Sequence, residues 1–110
     1  MRRRRTPRVP DVQKVYFIRR PDTKEVKIGV SRMPLHRLTI LQCGSAARLE
    51  MAVMFDGTYR DEATWHRIFH EDRIGFEWFR ESPRMTTIIE GIRAAIARGA
   101  MIDTPPGELA

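Results

Sequence analysis

The sequence has a single cysteine, Cys43, only three lysines, and no apolar run long enough to cross a membrane. One cysteine cannot form an internal disulfide, so we expect a reducing, cytoplasmic setting. The longest clean apolar stretch, around residues 52–55, has the length of a β-strand. No glycine-rich phosphate loop of the Walker or Rossmann type is present. The sequence thus argues against a disulfide-stabilised domain, a membrane protein and the common nucleotide-binding loops.

Basic residues are abundant but unevenly placed. The chain of 110 residues carries 17 arginines and a net charge of +6, yet residues 9–110 hold 15 basic against 14 acidic side chains. The excess lies in the first eight residues, at Arg2, Arg3, Arg4, Arg5 and Arg8. Codon bias and a solubilising tail explain part of this, but four consecutive arginines suit a polyanion, because guanidinium groups bind phosphate oxygens bidentately. We therefore predict a flexible basic arm, residues 1–12, that contacts nucleic-acid phosphates.

The remaining chain has the size and pattern of one α/β domain, residues 13–99, followed by a disordered tail, residues 100–110. We expect strands at 14–19, 25–29 and 48–55, a short extended piece at 75–79, a first helix from just after Ser31 to near Gly44, and further helices over about 60–72 and 84–98. The predicted order is β-β-α-β-α-(β)-α, with a three-stranded, mainly antiparallel sheet flanked by helices.

Local signals predict where the helices begin and end. Ser31 and Ser82 stand where N-cap residues are expected, and Gly44 and Gly99 where a left-handed C-terminal residue is expected. The apolar stripe of the first helix is Leu35, Leu38 and Leu41. Trp78 and Phe79 are expected to pack under the last helix.

Several short motifs, in order, resemble those of the GIY-YIG nuclease superfamily. Val15-Tyr16 stands at the first motif and Lys27-Ile28-Gly29 at the second, with Lys14 and Lys27 in place of the usual glycine and tyrosine. Arg37 follows ten residues after Lys27, where the family has its catalytic arginine, and Glu62 stands at the metal-binding glutamate.

A phage and microbial branch of that superfamily is more similar still. Its features are KIG in place of YIG, a helix of the form Glu-x-x-x-His-x-x-Phe, and a downstream Glu-Trp-Phe. The corresponding residues here are Lys27-Ile28-Gly29, then Glu62, His66 and Phe69, then Arg73 and Glu77-Trp78-Phe79. The resemblance covers roughly residues 14–80 and implies a small GIY-YIG-like domain of phage or bacterial origin.

The resemblance implies a metal-dependent endonuclease that hydrolyses phosphodiester bonds, in DNA rather than RNA. The implied catalytic residues are Tyr16, Lys27, Arg37, Glu62 and His66. Tyr16 would orient or deprotonate water, Arg37 would bind the scissile phosphate, and Glu62 would hold one Mg²⁺ or Mn²⁺. Mg²⁺ keeps several waters, so one carboxylate can suffice.

Each of these residues also has an ordinary structural explanation. Tyr16 fits a core strand, Arg37 could cover the core with its aliphatic stem, and Glu62 suits a helix N-terminus. Lys27 could equally protect a strand edge from aggregation. Taken together, at the family's spacing, the residues favour a site.

Other assignments stay open. Glu62, His66 and His70 share a helix face, and two histidines four residues apart can bind zinc, although i,i+4 polar pairs are common on solvated faces. The last helix is amphipathic and could pack on its own domain or on a second copy of the chain. The alternatives to a nuclease are a catalytically silent nucleic-acid-binding or accessory protein, and a small phage protein that binds another protein through its last helix.

Overall fold

The computed structural model describes residues 12–103. This part of the chain begins with a β-hairpin. Strands β1 (Lys14–Arg20) and β2 (Glu25–Ser31) pair antiparallel, with Tyr16 opposite Gly29. The turn between them starts at Pro21 and ends with Lys24 at a φ of 57°. The β-branched and aromatic residues of β1 are buried, which is why this segment forms a central strand.

The sheet has four strands rather than the three predicted. Strand β3 (Glu50–Asp56) pairs antiparallel with β1, and β4 (Trp78–Arg80) pairs antiparallel with β2, which gives the order β3-β1-β2-β4. β4 is a full member because the outer edge of β2 offers unpaired backbone groups, and Glu81 N–H also bonds the Lys24 carbonyl at 2.7 Å. The α/β class is confirmed, and the strand count is corrected.

Three α-helices in the described part of the chain pack on the sheet: α1 (Pro34–Cys43) between β2 and β3, α2 (Tyr59–Ile68) between β3 and β4, and α3 (Pro83–Ala97) after β4. The second is shorter than predicted, because the chain changes after Ile68 into a 3₁₀ turn at His70–Asp72. Within residues 12–103 no helix is long and apolar enough to span a membrane. The predicted arm up to residue 11 and the predicted tail beyond residue 103 lie outside the described residues.

The cap predictions gave mixed results. Ser82 caps α3 by accepting a hydrogen bond from Met85 N–H, and Gly99 adopts a φ of 81°, as expected. Ser31 does not cap α1; it ends β2, and its hydroxyl accepts from Met33 N–H in the turn before the helix. Gly44 ends α1 with a φ of −92°, so no left-handed residue is needed there.

The two faces of the sheet are covered differently. One face carries Val15, Phe17, Val26 and Ile28 and packs against α2 and α3. Four rings form an aromatic cluster there, with Phe17 edge-on to Trp65 at 5.6 Å between centroids. The members of the aromatic cluster are Phe17, Phe55, Trp65 and Phe69.

The opposite face carries Tyr16 and Ile18 and packs against Leu38 and Leu41 of α1. Leu35 was also predicted to belong to the apolar stripe of α1, but it is 55% exposed because it points away from the sheet. Trp78 packs on this face, not under α3 as predicted. It is paired with Lys27 in the sheet, and neighbouring residues of a strand alternate between faces, so only Phe79 reaches the α3 side.

Candidate active site

The site forms on the outer edge of β2, on the side away from β1, at the point where pairing with β4 ends. Strand pairing on this side covers Glu25 to Lys27 only. At Ile28 the N–H still donates to the Glu77 carbonyl at 2.9 Å, but the Ile28 carbonyl lies 2.9 Å from the His66 ring nitrogen Nε2. Helix α2 therefore takes the place of a strand along this edge and brings its polar side chains to it.

Tyr16 reaches this edge because its cross-strand partner is a glycine. A Cβ at Gly29 would lie 2.5 Å from Tyr16 Cζ and closer still to the hydroxyl oxygen. The tyrosine ring occupies that space, so the glycine of the Lys-Ile-Gly motif is a packing requirement of the tyrosine in the other motif. The packing of Tyr16 on Gly29 therefore links the tyrosine of the first motif to the glycine of the second.

Three charged side chains lie close enough to the Tyr16 hydroxyl to shift its pKa. Burial raises the pKa of Tyr16; the Arg37 guanidinium lowers it, and the carboxylates of Glu77 and Glu62 raise it. The residue is 1% exposed. The phenol thus lies within electrostatic range of one cation and two carboxylates, and it stays protonated at neutral pH.

The carboxylate of Glu62 has no partner in the described part of the chain. It lies in the first turns of α2, whose N-terminus is capped by Thr58 and Asp61. Within residues 12–103 it accepts no hydrogen bond and forms no ion pair. Partial burial raises the pKa of Glu62; His66 lowers it, Glu77 raises it, and Lys27 lowers it. A half-buried anion beside a second carboxylate is a place that a cation would stabilise.

Lys27 is paired with a residue that the sequence did not single out as part of the site. Its Nζ lies 2.5 Å from Glu77 Oε1, and the lysine side chain is 12% exposed against 39% for the glutamate. Glu77 is the first residue of the Glu-Trp-Phe triplet, and that triplet was the only signal that could have found it. The pair holds Glu77, whose carboxylate is close enough to Glu62 to raise the pKa of the Glu62 carboxyl.

Arg37 is exposed on α1, and its side chain has no ion pair or hydrogen bond within residues 12–103. Its charge is close enough to lower the pKa of Tyr16. An unpaired guanidinium beside a phenol can accept a phosphate without first breaking a protein contact. We call Tyr16, Lys27, Arg37, Glu62 and Glu77 the polar edge.

His66 is committed to the backbone. With the Ile28 carbonyl as its partner, Nε2 carries the proton and donates it, and the ring packs against Phe79 at 5.1 Å between centroids. This contact fastens α2 to β2, and His66 is also close enough to Glu62 to lower the pKa of its carboxyl. The geometry gives His66 a positioning role one helical turn from Glu62.

The zinc alternative finds no support from the geometry of residues 12–103, where no three His, Cys, Asp or Glu side chains are arranged to hold a metal ion. His70 is exposed, and its Nδ1 lies 2.9 Å from the Arg67 carbonyl. Mg²⁺ has a different requirement, because it binds through one or two carboxylates and keeps its waters. The unpaired carboxylate of Glu62, with Glu77 nearby, fits that donor set.

The five arginines of the predicted arm, Arg2, Arg3, Arg4, Arg5 and Arg8, lie outside the described residues. No protein-family model matches the chain, and no curated protein or solved structure matches it significantly. The resemblance to GIY-YIG nucleases therefore stays a prediction, and the function has to be argued from the polar edge itself.

Proposed function

We propose that the protein hydrolyses phosphodiester bonds of DNA with the help of Mg²⁺ or Mn²⁺. The proposal is supported by the surroundings of the buried Tyr16 phenol: the exposed guanidinium of Arg37 and the carboxylate of Glu62, both without a partner within residues 12–103, lie close enough to it to shift its pKa. Phosphodiester hydrolysis requires an oriented water and positive charge at the phosphoryl oxygens. The three groups match those needs, and the basic arm would add phosphate contacts away from the reacting bond.

Each residue has a role that follows from its surroundings. Arg37 binds the phosphate, because its guanidinium is exposed and unpaired within residues 12–103. Tyr16 orients the attacking water through its hydroxyl; its raised pKa makes removal of a proton by the phenolate the weaker of the two roles implied by the resemblance. His66 holds α2 against β2 and so positions Glu62.

Glu62, with Glu77 beside it, would hold the divalent ion. When bound, the ion would supply positive charge to a phosphoryl oxygen and relieve the repulsion between the two carboxylates. Lys27 neutralises Glu77 and keeps its carboxylate in place. Lys27 therefore acts as a positioning residue, because its ammonium is already engaged.

A second function, nucleic-acid binding without hydrolysis, is favoured by two of the same observations. The phenol of Tyr16 is buried, and Lys27 is held in an ion pair. Neither group is poised as a free base. In that case Arg37 and the basic arm would bind the backbone, and Glu62 would have no part in the activity.

The test is nicking of supercoiled plasmid with Mg²⁺ or Mn²⁺ by the purified wild type, Arg37→Ala and Arg98→Ala. Arg98 is an exposed arginine at the end of α3 and serves as the charge control. We expect wild-type nicking that requires metal, a loss of about a hundredfold or more in turnover for Arg37→Ala, and no loss for Arg98→Ala. No nicking with either metal, or equal turnover by Arg37→Ala, would overturn the proposal, and binding without cleavage would establish the second function.

A further inference from the structure

Two aromatic side chains lie on the surface although the protein has a core that could hold them. All nine aromatic residues fall within residues 12–103, and only Phe76, at 88%, and Tyr59, at 60%, are exposed. Phe76 immediately precedes Glu77 of the polar edge. Exposing a phenylalanine forgoes the free energy of burying it, so its position beside the site calls for a reason.

The backbone of Phe76 is held, so the ring is not at the tip of a loose loop. The Arg73 guanidinium donates from Nε to the carbonyls of Gly75 and Phe76, both at 3.0 Å, and from a terminal nitrogen to the Phe76 carbonyl. Ile74 N–H and Gly75 N–H both donate to the Trp78 carbonyl, at 2.8 and 3.2 Å. A fixed turn therefore presents the ring to solvent.

The ring faces of Phe76 are open. Within residues 12–103 no other ring and no guanidinium packs against it, whereas the guanidinium of Arg60 lies over the Tyr59 ring at 5.9 Å. Of the two exposed aromatics, Phe76 is therefore the one with both faces available for a flat apolar partner.

The positive charge of Arg37 indicates which kind of partner with planar rings would bind here. Arg37 presents a cation that is unpaired within residues 12–103 and lies close enough to Tyr16 to lower its pKa, and the excess positive charge of the chain lies in its first eight residues. Nucleic acid is the partner that combines an anionic backbone with planar rings, and bases stack on aromatic side chains whenever they are free to do so. A membrane offers phosphates but no planar rings, and a protein surface has no regular row of anions beside planar groups, so nucleic acid is the partner that matches both features.

We propose that Phe76 stacks on a nucleic-acid base next to the phosphate received by the polar edge, and that the substrate class is therefore DNA with an unpaired base at the site. The proposal rests on the proposed function, because it needs the polar edge to receive a phosphate. A base paired and stacked within a continuous duplex offers no free face, so recognition favours a bulge, a flap or a single strand.

Binding measured in EDTA tests the proposal without requiring cleavage. The probes are two fluorescein-labelled DNA hairpins closed by a linker without bases, one with a fully paired stem and one with a single bulged 2-aminopurine in its stem. We expect wild type to bind the bulged hairpin about fivefold or more tighter than the paired one and to quench its 2-aminopurine. Phe76→Ala loses the preference, and Phe76→Trp keeps it.

Ile74→Ala is the matched control, because Ile74 is 51% exposed on the same turn and has no aromatic face. It keeps the wild-type preference. Equal binding of both hairpins by wild type, or an unchanged preference in Phe76→Ala, would overturn the stacking proposal. A preference that depends on Phe76 in a protein that nicks no plasmid would support stacking and refute only the proposed hydrolysis.

Discussion

The two sides of the sheet differ in what they do with buried groups. The buried residues on the side under α2 and α3 are hydrophobic, and the aromatic cluster fills the space between sheet and helices. The polar edge holds two carboxylates, a half-buried lysine and a phenol whose pKa is raised by burial. The first arrangement stabilises the fold, whereas the second places like charges together and desolvates them. A fold gains nothing from the second arrangement alone, which is why we assign the function to it.

The largest effect is expected in the aromatic cluster. Phe17→Ala removes a fully buried ring that packs against Phe55, Trp65 and Phe69. It should lower the free energy of unfolding by about 3–5 kcal/mol, measured by urea denaturation. Phe76→Ala, which removes an exposed ring, is the control and should change stability little. Similar losses in both variants would show that the cluster is not the stabilising side.

A smaller loss is expected at the contact between the two motifs. Gly29→Ala places a methyl group against the Tyr16 ring and should lower the free energy of unfolding by about 1–3 kcal/mol, because the buried ring has no room to move. Gly91→Ala is the matched control in α3, where nothing lies within 4 Å of the added Cβ. It should stabilise the protein by roughly 0.5–1 kcal/mol. A neutral Gly29→Ala would mean that Tyr16 is not held over the glycine.

The smallest expected effect is a gain in stability, for Glu62→Gln, that depends on pH. The folded protein raises the pKa of Glu62, so it binds that proton more tightly than the unfolded chain does. The contribution of Glu62 to the free energy of unfolding should therefore fall as pH rises from the ordinary glutamate pKa through the raised one. Glu62→Gln removes this loss, so it should be the more stable protein at about pH 7 and should show no such gain at about pH 4. Melting temperatures at both pH values check this, and a pH-independent difference would contradict it.

Local signals predicted the elements whose causes are local. The hairpin follows from a β-branched segment, a proline turn and a second such segment, and Ser82 caps α3 through a bond to Met85 three residues away. The fourth strand was missed because β4 has three residues and forms only against the free edge of β2. Three residues carry too little pattern to predict a strand.

The site residues also divide into those that local motifs predict and those that only the folded chain brings together. Tyr16, Arg37 and Glu62 were predicted from motifs that a single sequence displays, and Arg37 and Glu62 each lie close enough to Tyr16 to shift the pKa of its phenol. Glu77 was missed because its partner, Lys27, lies 50 residues away in the chain. The bond from His66 to the Ile28 carbonyl spans 38 residues, so the positioning role of the histidine could not be read from spacing either.

The most direct test of the polar edge compares metal-dependent plasmid nicking by wild type, Glu62→Gln and Glu71→Gln, with the melting temperature taken on the same samples. Glu71 is an exposed carboxylate in the 3₁₀ turn after α2 and controls for lost charge. If Glu62 is placed for a reaction rather than for stability, Glu62→Gln melts at or above the wild-type temperature and nicks about a hundredfold or more slowly, while Glu71→Gln nicks like wild type. A Glu62→Gln protein that nicks at the wild-type rate would contradict the assignment.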